Sequence, residues 1–298
     1  MNEAEVGEHP AVDQRRAEPL PIEVAPTRDR DLIRRLIEGD RALVAHALAD
    51  LDEGELLRTR CFVARRGSEA IALGMEYSGW APQPLHLFGD PAGIAAILEV
   101  GIRPRAAWVP TPIGGDPILD LRYETEKIHP MLRMAVRRET FRRYAGDAAR
   151  LVVPLVPADA GALNRLYQLG FAAWLPPLAV AEGLYRGIHH DGRLVAAAGT
   201  HVIGRRERIA VLGNVLTSAS SRGNGYARAT TSAVTEALLE FCDDVVLNVR
   251  ADNAVAIRLY LSLGYETRAE FEERLVVRRS AIDLPRLVRR IFGARMAR

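Results

Sequence analysis

The sequence predicts an α/β protein, a mixed α+β sheet with helices on both faces. Three observations lead there. At 298 residues, with 48% hydrophobic and 26% charged side chains, the chain is long enough for two ordinary domains, each with its own core. Short β-branched runs such as Val245-Val246-Leu247-Asn248-Val249 alternate with stretches whose apolar residues recur at helical spacing. Asn214-Val215-Leu216-Thr217-Ser218-Ala219-Ser220-Ser221-Arg222-Gly223-Asn224-Gly225-Tyr226-Ala227 reads as the end of a strand, a turn, and a glycine-rich loop opening into a helix.

The elements follow in order. Residues 1–26 are acidic, rich in Pro and Glu, and without periodicity, the composition of a disordered tail. A first domain is expected over 27–148. Leu32, Ile33, Leu36 and Ile37, then Leu43, Val44, Ala47 and Leu48, mark helical stripes. Cys61-Phe62-Val63-Ala64 and Ala70-Ile71-Ala72-Leu73-Gly74-Met75 are strands around the turn Arg65-Arg66-Gly67-Ser68. Leu85-His86-Leu87-Phe88-Gly89-Asp90 is a further strand. Residues 92–100 are helical with Gly101 at the C-cap, and 106–109 form a strand before a loop at 110–117. Residues 129–144 bridge to the second domain.

The second domain is expected over 149–280. Leu151-Val152-Val153-Pro154-Leu155-Val156 is a strand, and Asp159 is placed to cap a helix carrying Leu163, Leu166 and Tyr167. Residues 171–183 make an apolar, Pro-containing connection. Asp191-Gly192 signals a type I′ hairpin between 185–190 and 194–203. The strand 209–217 enters the glycine-rich loop, and Ala227, Thr231, Val234, Leu238 and Phe241 stripe the helix that follows. Asn253 opens a second helix that Gly264 ends, and 265–277 supply the last strands. Residues 281–298 are amphipathic, with Leu284, Leu287, Val288 and Ile291 opposite many arginines. Such a basic helix suits either docking on its own domain, the commoner case, or a membrane surface.

Composition excludes several classes. A net charge of +2 gives no bulk attraction to nucleic acid. Cys61 and Cys242 provide neither a disulfide framework nor a zinc site, and no metal is expected. With no span-length apolar run and no signal peptide, a cytoplasmic location is expected. Lys127 is the only lysine among 40 Lys and Arg residues, the coding bias of a GC-rich bacterial genome.

The glycine-rich loop carries the chemistry. A helix N-terminus with bared backbone N–H groups favours a phosphate, and Gly223 and Gly225 let the backbone approach it. A P-loop would end in Gly-Lys-Ser/Thr, whereas Tyr226 and Ala227 follow Gly225. A dinucleotide fingerprint needs a third small residue where Arg228 stands and an acid at the end of the next strand; Asp243 and Asp244 precede that strand.

Arg222-Gly223-Asn224-Gly225-Tyr226-Ala227 resembles motif A of the GNAT acyltransferase superfamily, whose members bind acyl-coenzyme A. Asn253-Ala254-Val255-Ala256-Ile257-Arg258-Leu259-Tyr260-Leu261-Ser262-Leu263-Gly264-Tyr265 is similar to a second motif of that superfamily, at its usual distance. The resemblance covers 151–279. It implies a GNAT fold in the C-terminal half and a degenerate GNAT-like copy in the N-terminal half, where Gly89-Asp90-Pro91-Ala92-Gly93 has no matching basic residue. It implies transfer of an acetyl group from acetyl-coenzyme A directly to the amine of a small molecule. Val215, Leu216 and Thr217 would pair with the pantetheine arm. Arg222, Gly223, Asn224, Gly225, Tyr226 and Ala227 would cradle the pyrophosphate. Tyr260 would be the general acid, or else a core tyrosine; Asn253 would contact the cofactor or only cap its helix.

A base is useful because an alkyl ammonium of pKa about 10.4 is almost wholly protonated at neutral pH. Many superfamily members carry a glutamate on the strand before motif A, where Ile209-Ala210-Val211-Leu212-Gly213-Asn214 has no carboxylate. His201 has a suitable pKa range, Asn214 can hold a water, and Glu182 is a third possibility. The segments Ala198-Gly199-Thr200-His201 and Gly213-Asn214-Val215 also resemble the branch related to glycine N-acyltransferases, implying a small, amino-acid-like amine. The missing strand carboxylate also suits a catalytically silent acyl-coenzyme A-binding regulator.

Overall fold

The computed structural model describes residues 20–279 apart from 38, 80–81 and 169–173, so the amphipathic stretch expected over 281–298 lies outside the described residues. In the N-terminal half the order is β1 (Ile22–Thr27), α1 (Arg30–Leu36), α2 (Ala45–Ala49), α3 (Glu53–Arg58), β2 (Thr59–Arg66), β3 (Glu69–Tyr77), β4 (Gln83–Gly89), α4 (Pro91–Ala96), β5 (Ala106–Thr111), α5 (Pro117–Arg122) and β6 (Tyr123–Val136). The C-terminal half continues with β7 (Val153–Pro154), α6 (Ala160–Tyr167), α7 (Pro177–Glu182), β8 (Arg186–His190), β9 (Arg193–Gly204), β10 (Ile209–Thr217), α8 (Tyr226–Leu239), β11 (Asp244–Arg250), α9 (Ala254–Ser262) and β12 (Glu266–Arg278).

One twelve-stranded sheet runs through both halves in the order β1-β2-β3-β4-β5-β12-β6-β11-β10-β9-β8-β7. Read from either end it repeats one pattern. Three antiparallel pairings lead to a parallel pair, β4 with β5 and β10 with β11, and the next strand comes from the opposite half. β12 thus covers β5, and β6 covers β11, while β6 and β12 pair with each other along nearly their whole length. The exchange removes the two sheet edges that would otherwise face solvent mid-molecule.

Burial follows this plan. α1 and α2 lie between the halves. Ile33, Ile37, Ala45 and Leu48 pack with Leu73 and Met75 of β3 and with Ile209, Val211 and Val246 of the other half. Each such leucine, isoleucine, valine or methionine side chain contributes roughly 1.5–3 kcal/mol by burial. On the opposite face of the C-terminal sheet, Val234 and Leu238 of α8 and Tyr260 of α9 cover Leu212, Leu247 and Val249. Ion pairs join the halves at the surface of this core. Asp244, 3% exposed, accepts from Arg41 at 2.9 Å and Arg137 at 2.6 Å.

Four expectations are corrected. The tail expected to 26 ends earlier, because Ile22 and Val24 pack on the N-terminal core and Ile22–Thr27 pairs with β2; as an edge strand it tolerates Pro26. The strand expected over 151–156 shrinks to Val153–Pro154, since Pro154 has no N–H to donate and ends the ladder. Asp159 does not cap α6 through its side chain, which instead accepts the Val156 N–H at 2.8 Å. The helix after β4 is not closed at Gly101: it relaxes into a π turn over Ile97–Gly101, and the Ile102 N–H donates to the Ile97 carbonyl. The Asp191-Gly192 hairpin is present, with both residues at positive φ.

Candidate active site

β10 and β11 pair only from Ile209↔Asp244 to Leu212↔Leu247. Beyond that point β10 runs on beside β9 and β11 beside β6, so the two parallel strands part into a wedge. A bulge sits at the opening. The β9 register breaks between Gly213 and Leu216, leaving Asn214 and Val215 without partners on β9, and Asn214 takes the left-handed conformation (φ 53°) that Asn tolerates best among non-glycine residues. Leu216 and Thr217, with Arg222, line a cavity of about 770 Å³ that continues along α6.

The wedge leads to the glycine-rich loop. Gly225, at φ 76°, is the N-cap of α8, and no side chain caps this 14-residue helix. Its first N–H groups therefore remain available as donors at the positive end of the helix dipole. Asn224 braces the loop by donating to the Ser221 carbonyl at 3.1 Å, while Arg222 and Gly223 are exposed. Thr217 Oγ1 and Ser218 Oγ, at the loop entrance, are buried without hydrogen-bond partners. Open N–H groups, a free arginine nearby and orphaned hydroxyls fit a pyrophosphate.

The equivalent place in the N-terminal half is closed. α4 follows β4 as α8 follows β10, but Pro91 at its start has no N–H, and Asp90 accepts from the Ala92 and Gly93 N–H groups at 2.9 and 3.1 Å. A carboxylate already occupies the anion position.

On the face of the wedge turned toward the N-terminal half stands His201, the extra residue of a second bulge, where β9 steps from Thr200 to Val202 against Leu212 and Val211. Its ring lies over Gly213, where a Cβ would collide with it. It is open to solvent yet set deep between the halves; burial pushes its pKa below the ordinary 6.5, and a hydrogen bond with the Asn214 side chain opposes that shift. The imidazole is therefore neutral at pH 7 and able to accept a proton. Asn214 is held in turn: its Nδ2 donates to Tyr185 Oη at 3.0 Å, Tyr185 donates to the Thr200 carbonyl, and Tyr167 donates to the Asn214 carbonyl at 2.6 Å.

Tyr260 reaches the wedge from the other face, among Leu212, Leu247 and Val249. It is 6% exposed, makes no hydrogen bond among the described residues, and burial pushes its pKa up to about 12. Full proton transfer from such a phenol to a thiolate of pKa about 8.5 would be uphill by about 5 kcal/mol. Tyr260→Phe is accordingly expected to lower kcat by less than about tenfold, with acetyl-coenzyme A affinity unchanged in a thiol-release assay. Asn253 caps α9 through Oδ1, which accepts the Ala256 N–H at 3.1 Å.

Glu182 is engaged elsewhere. Both its oxygens accept from Arg58 at 3.0 Å, tying α7 to α3. The pair is substantially exposed, so Glu182→Ala is expected to change stability by no more than about 1 kcal/mol and to leave kcat unchanged; a large kcat loss would return Glu182 to the chemistry. Sequence reasoning missed His46, His86, Tyr185, Arg133 and Asn248, which reach this region from α2, β4, the residue before β8, β6 and β11 without any shared motif. Pairing register alone puts Arg133 beside Asn248.

This wedge-and-loop arrangement in a mixed sheet is the fold of GNAT acetyltransferases. Residues 183–275 match the family model described as FR47-like protein. No curated protein matches the chain. Among solved structures, the chain is similar to a putative GNAT-family acetyltransferase from Novosphingobium aromaticivorans (22% identity, TM-score 0.52, covering 66% of this chain and 88% of that one). It is also similar to a GCN5-related N-acetyltransferase from Kribbella flavida (21%, 0.55, 80% and 96%). A tandem GNAT protein from the clavulanic acid biosynthesis pathway matches at 15% identity and TM-score 0.55, covering 88% of this chain and all of that one. At these identities the likeness is one of fold. Among the described residues no helix is long and apolar enough to cross a membrane.

Proposed function

We propose that this protein is an N-acetyltransferase that moves an acetyl group from acetyl-coenzyme A to the amine of a small molecule by direct attack. The observation that carries the reading is the wedge between β10 and β11 ending in the uncapped N-terminus of α8. Acetyl-coenzyme A supplies the acyl group as a thioester. The amine nitrogen forms a bond to the acyl carbon, the carbon–sulfur bond breaks, and the thiolate leaves. Residues 215–217 lie along the pantetheine arm, and 222–227 hold the pyrophosphate. A backbone N–H of the bulge at Asn214 and Val215, left unpaired with β9, would meet the carbonyl oxygen, a donor worth about 3 kcal/mol when preorganised. His201, neutral and oriented by Asn214, takes the amine proton, and Tyr260 donates a hydrogen bond to the leaving sulfur.

The N-terminal half is a degenerate copy that walls the acceptor side. The repeated strand order supports the duplication, and Asp90 at the start of α4 supports the loss of phosphate binding. A catalytically silent acyl-coenzyme A-binding regulator is favoured by one feature, the absence of a carboxylate on β10. Release of free thiol from acetyl-coenzyme A across a panel of small amines separates the two readings: amine-dependent release is expected for the enzyme, and binding with no release throughout belongs to the regulator.

A further inference from the structure

Three imidazoles from distant parts of the chain meet where the halves face each other. His46 of α2 stacks with His86 of β4 at 6.0 Å between ring centroids, and its ring lies tilted at 45° to that of His201 of β9, 6.4 Å away. His46 and His86 are only partly covered, yet His46 Nδ1 is buried with no hydrogen-bond partner. Among the described residues no group of His, Cys, Asp and Glu is arranged to hold a metal ion.

Beside them lies Arg133, 7% exposed on β6. Its Nε donates to Asn248 Oδ1 at 3.0 Å, its Nη1 donates to the Leu43 carbonyl, and the guanidinium sits 4.7 Å over the Phe271 ring. Among the described residues no carboxylate lies within ion-pairing distance of Arg133, His46 or His86. A buried guanidinium without a directly paired carboxylate is costly, and this one is felt: burial pushes the Arg133 pKa down to about 10, and its field presses on both imidazoles. Glu273 of β12 offsets this only in part, through its field and without an ion-pair contact, and Asp50, one turn along α2 from His46, has its carboxyl pushed well above the usual range by burial and Glu55. Where the halves face each other, His46, His86 and Arg133 thus form a cluster of donors with no directly paired carboxylate among the described residues.

We infer that this cluster binds an anionic group carried by the acceptor, so that the acetylated amine belongs to a molecule with a carboxylate or phosphate, gripped by His46, His86 and Arg133. The N-terminal half would then be a specificity element. The inference rests on the acetyltransferase reading for the amine, but the anion site can be tested separately.

The test is an NMR titration of the full chain with 15N-labelled histidine, using acetate and inorganic phosphate against chloride at matched ionic strength. Saturable shifts of the His46 and His86 resonances are expected, with both pKa values rising. The sign follows from charge: an anion stabilises the imidazolium, so binding strengthens as pH falls toward the raised values. A response to acetate alone assigns a carboxylate, and to phosphate alone a phosphate. No saturable response to either overturns the inference. In the thiol-release assay, His86→Gln is expected to cut kcat/KM for an anionic amine by about ten- to a hundredfold, with acetyl-coenzyme A affinity and thermal midpoint unchanged. Equal losses for an amine lacking the anion would overturn it. Saturable anion binding without turnover of any amine would leave the anion site standing and sink the transferase reading instead.

Discussion

His201→Asn is expected to lower kcat by about 10²–10⁴-fold while acetyl-coenzyme A binds as before, the range typical of a lost general base. The size follows from position. His201 is at a bulge over Gly213, next to the wedge, and its Asn214 bond fixes which way the ring faces. The pH dependence has a definite sign. Because burial holds the folded pKa below 6.5, the base is competent throughout the neutral range, and kcat/KM is lost only as pH falls through that depressed value. His201→Asn should remove this acid limb. A variant that keeps the limb, or loses less than threefold in kcat, would assign the proton to another group.

Gly225→Val is expected to weaken acetyl-coenzyme A binding by about a hundredfold. Gly225 holds φ 76°, a conformation that costs roughly 1–2 kcal/mol for a residue with a Cβ and more for a β-branched one. The added Cβ would also stand 2.7 Å from Tyr144 Oη. Relief requires the loop to move, which takes the α8 N–H groups out of register with a phosphate. About 2.7 kcal/mol of combined strain and lost contact corresponds to that hundredfold. Isothermal titration measures it, and the thermal midpoint shows whether the fold survives. Unchanged affinity would mean that the phosphates lie elsewhere.

Legibility of the fold depended on the range of the interaction. Local signals were readable: the Asp191-Gly192 hairpin, the strand into the glycine loop, the helical stripe of α8 and the Asn253 cap all occur where their residue types place them. The exchange of β6 and β12 was not readable. Their residues reveal strand character at most, and the choice of neighbour is made by edges that only the assembled sheet creates. The loop at Arg222–Ala227 and Tyr260 could be named because each belongs to a contiguous pattern. The histidine cluster could not, since His46, His86 and His201 come from three elements and meet only after α2 packs between the halves. Glu182 shows the converse case, a plausible carboxylate that the fold pairs with Arg58, a partner from α3 that no local pattern announces.

The central claim is that the β10–β11 wedge holds acetyl-coenzyme A for transfer to an amine. Its most direct test is thiol release from acetyl-coenzyme A, followed with and without a panel of small amines that includes acidic ones. The account predicts release that requires an amine, is matched by acetylated amine, and disappears when Gly225→Val replaces the native protein. Thiol release indifferent to every amine, or equally fast in Gly225→Val, would contradict it.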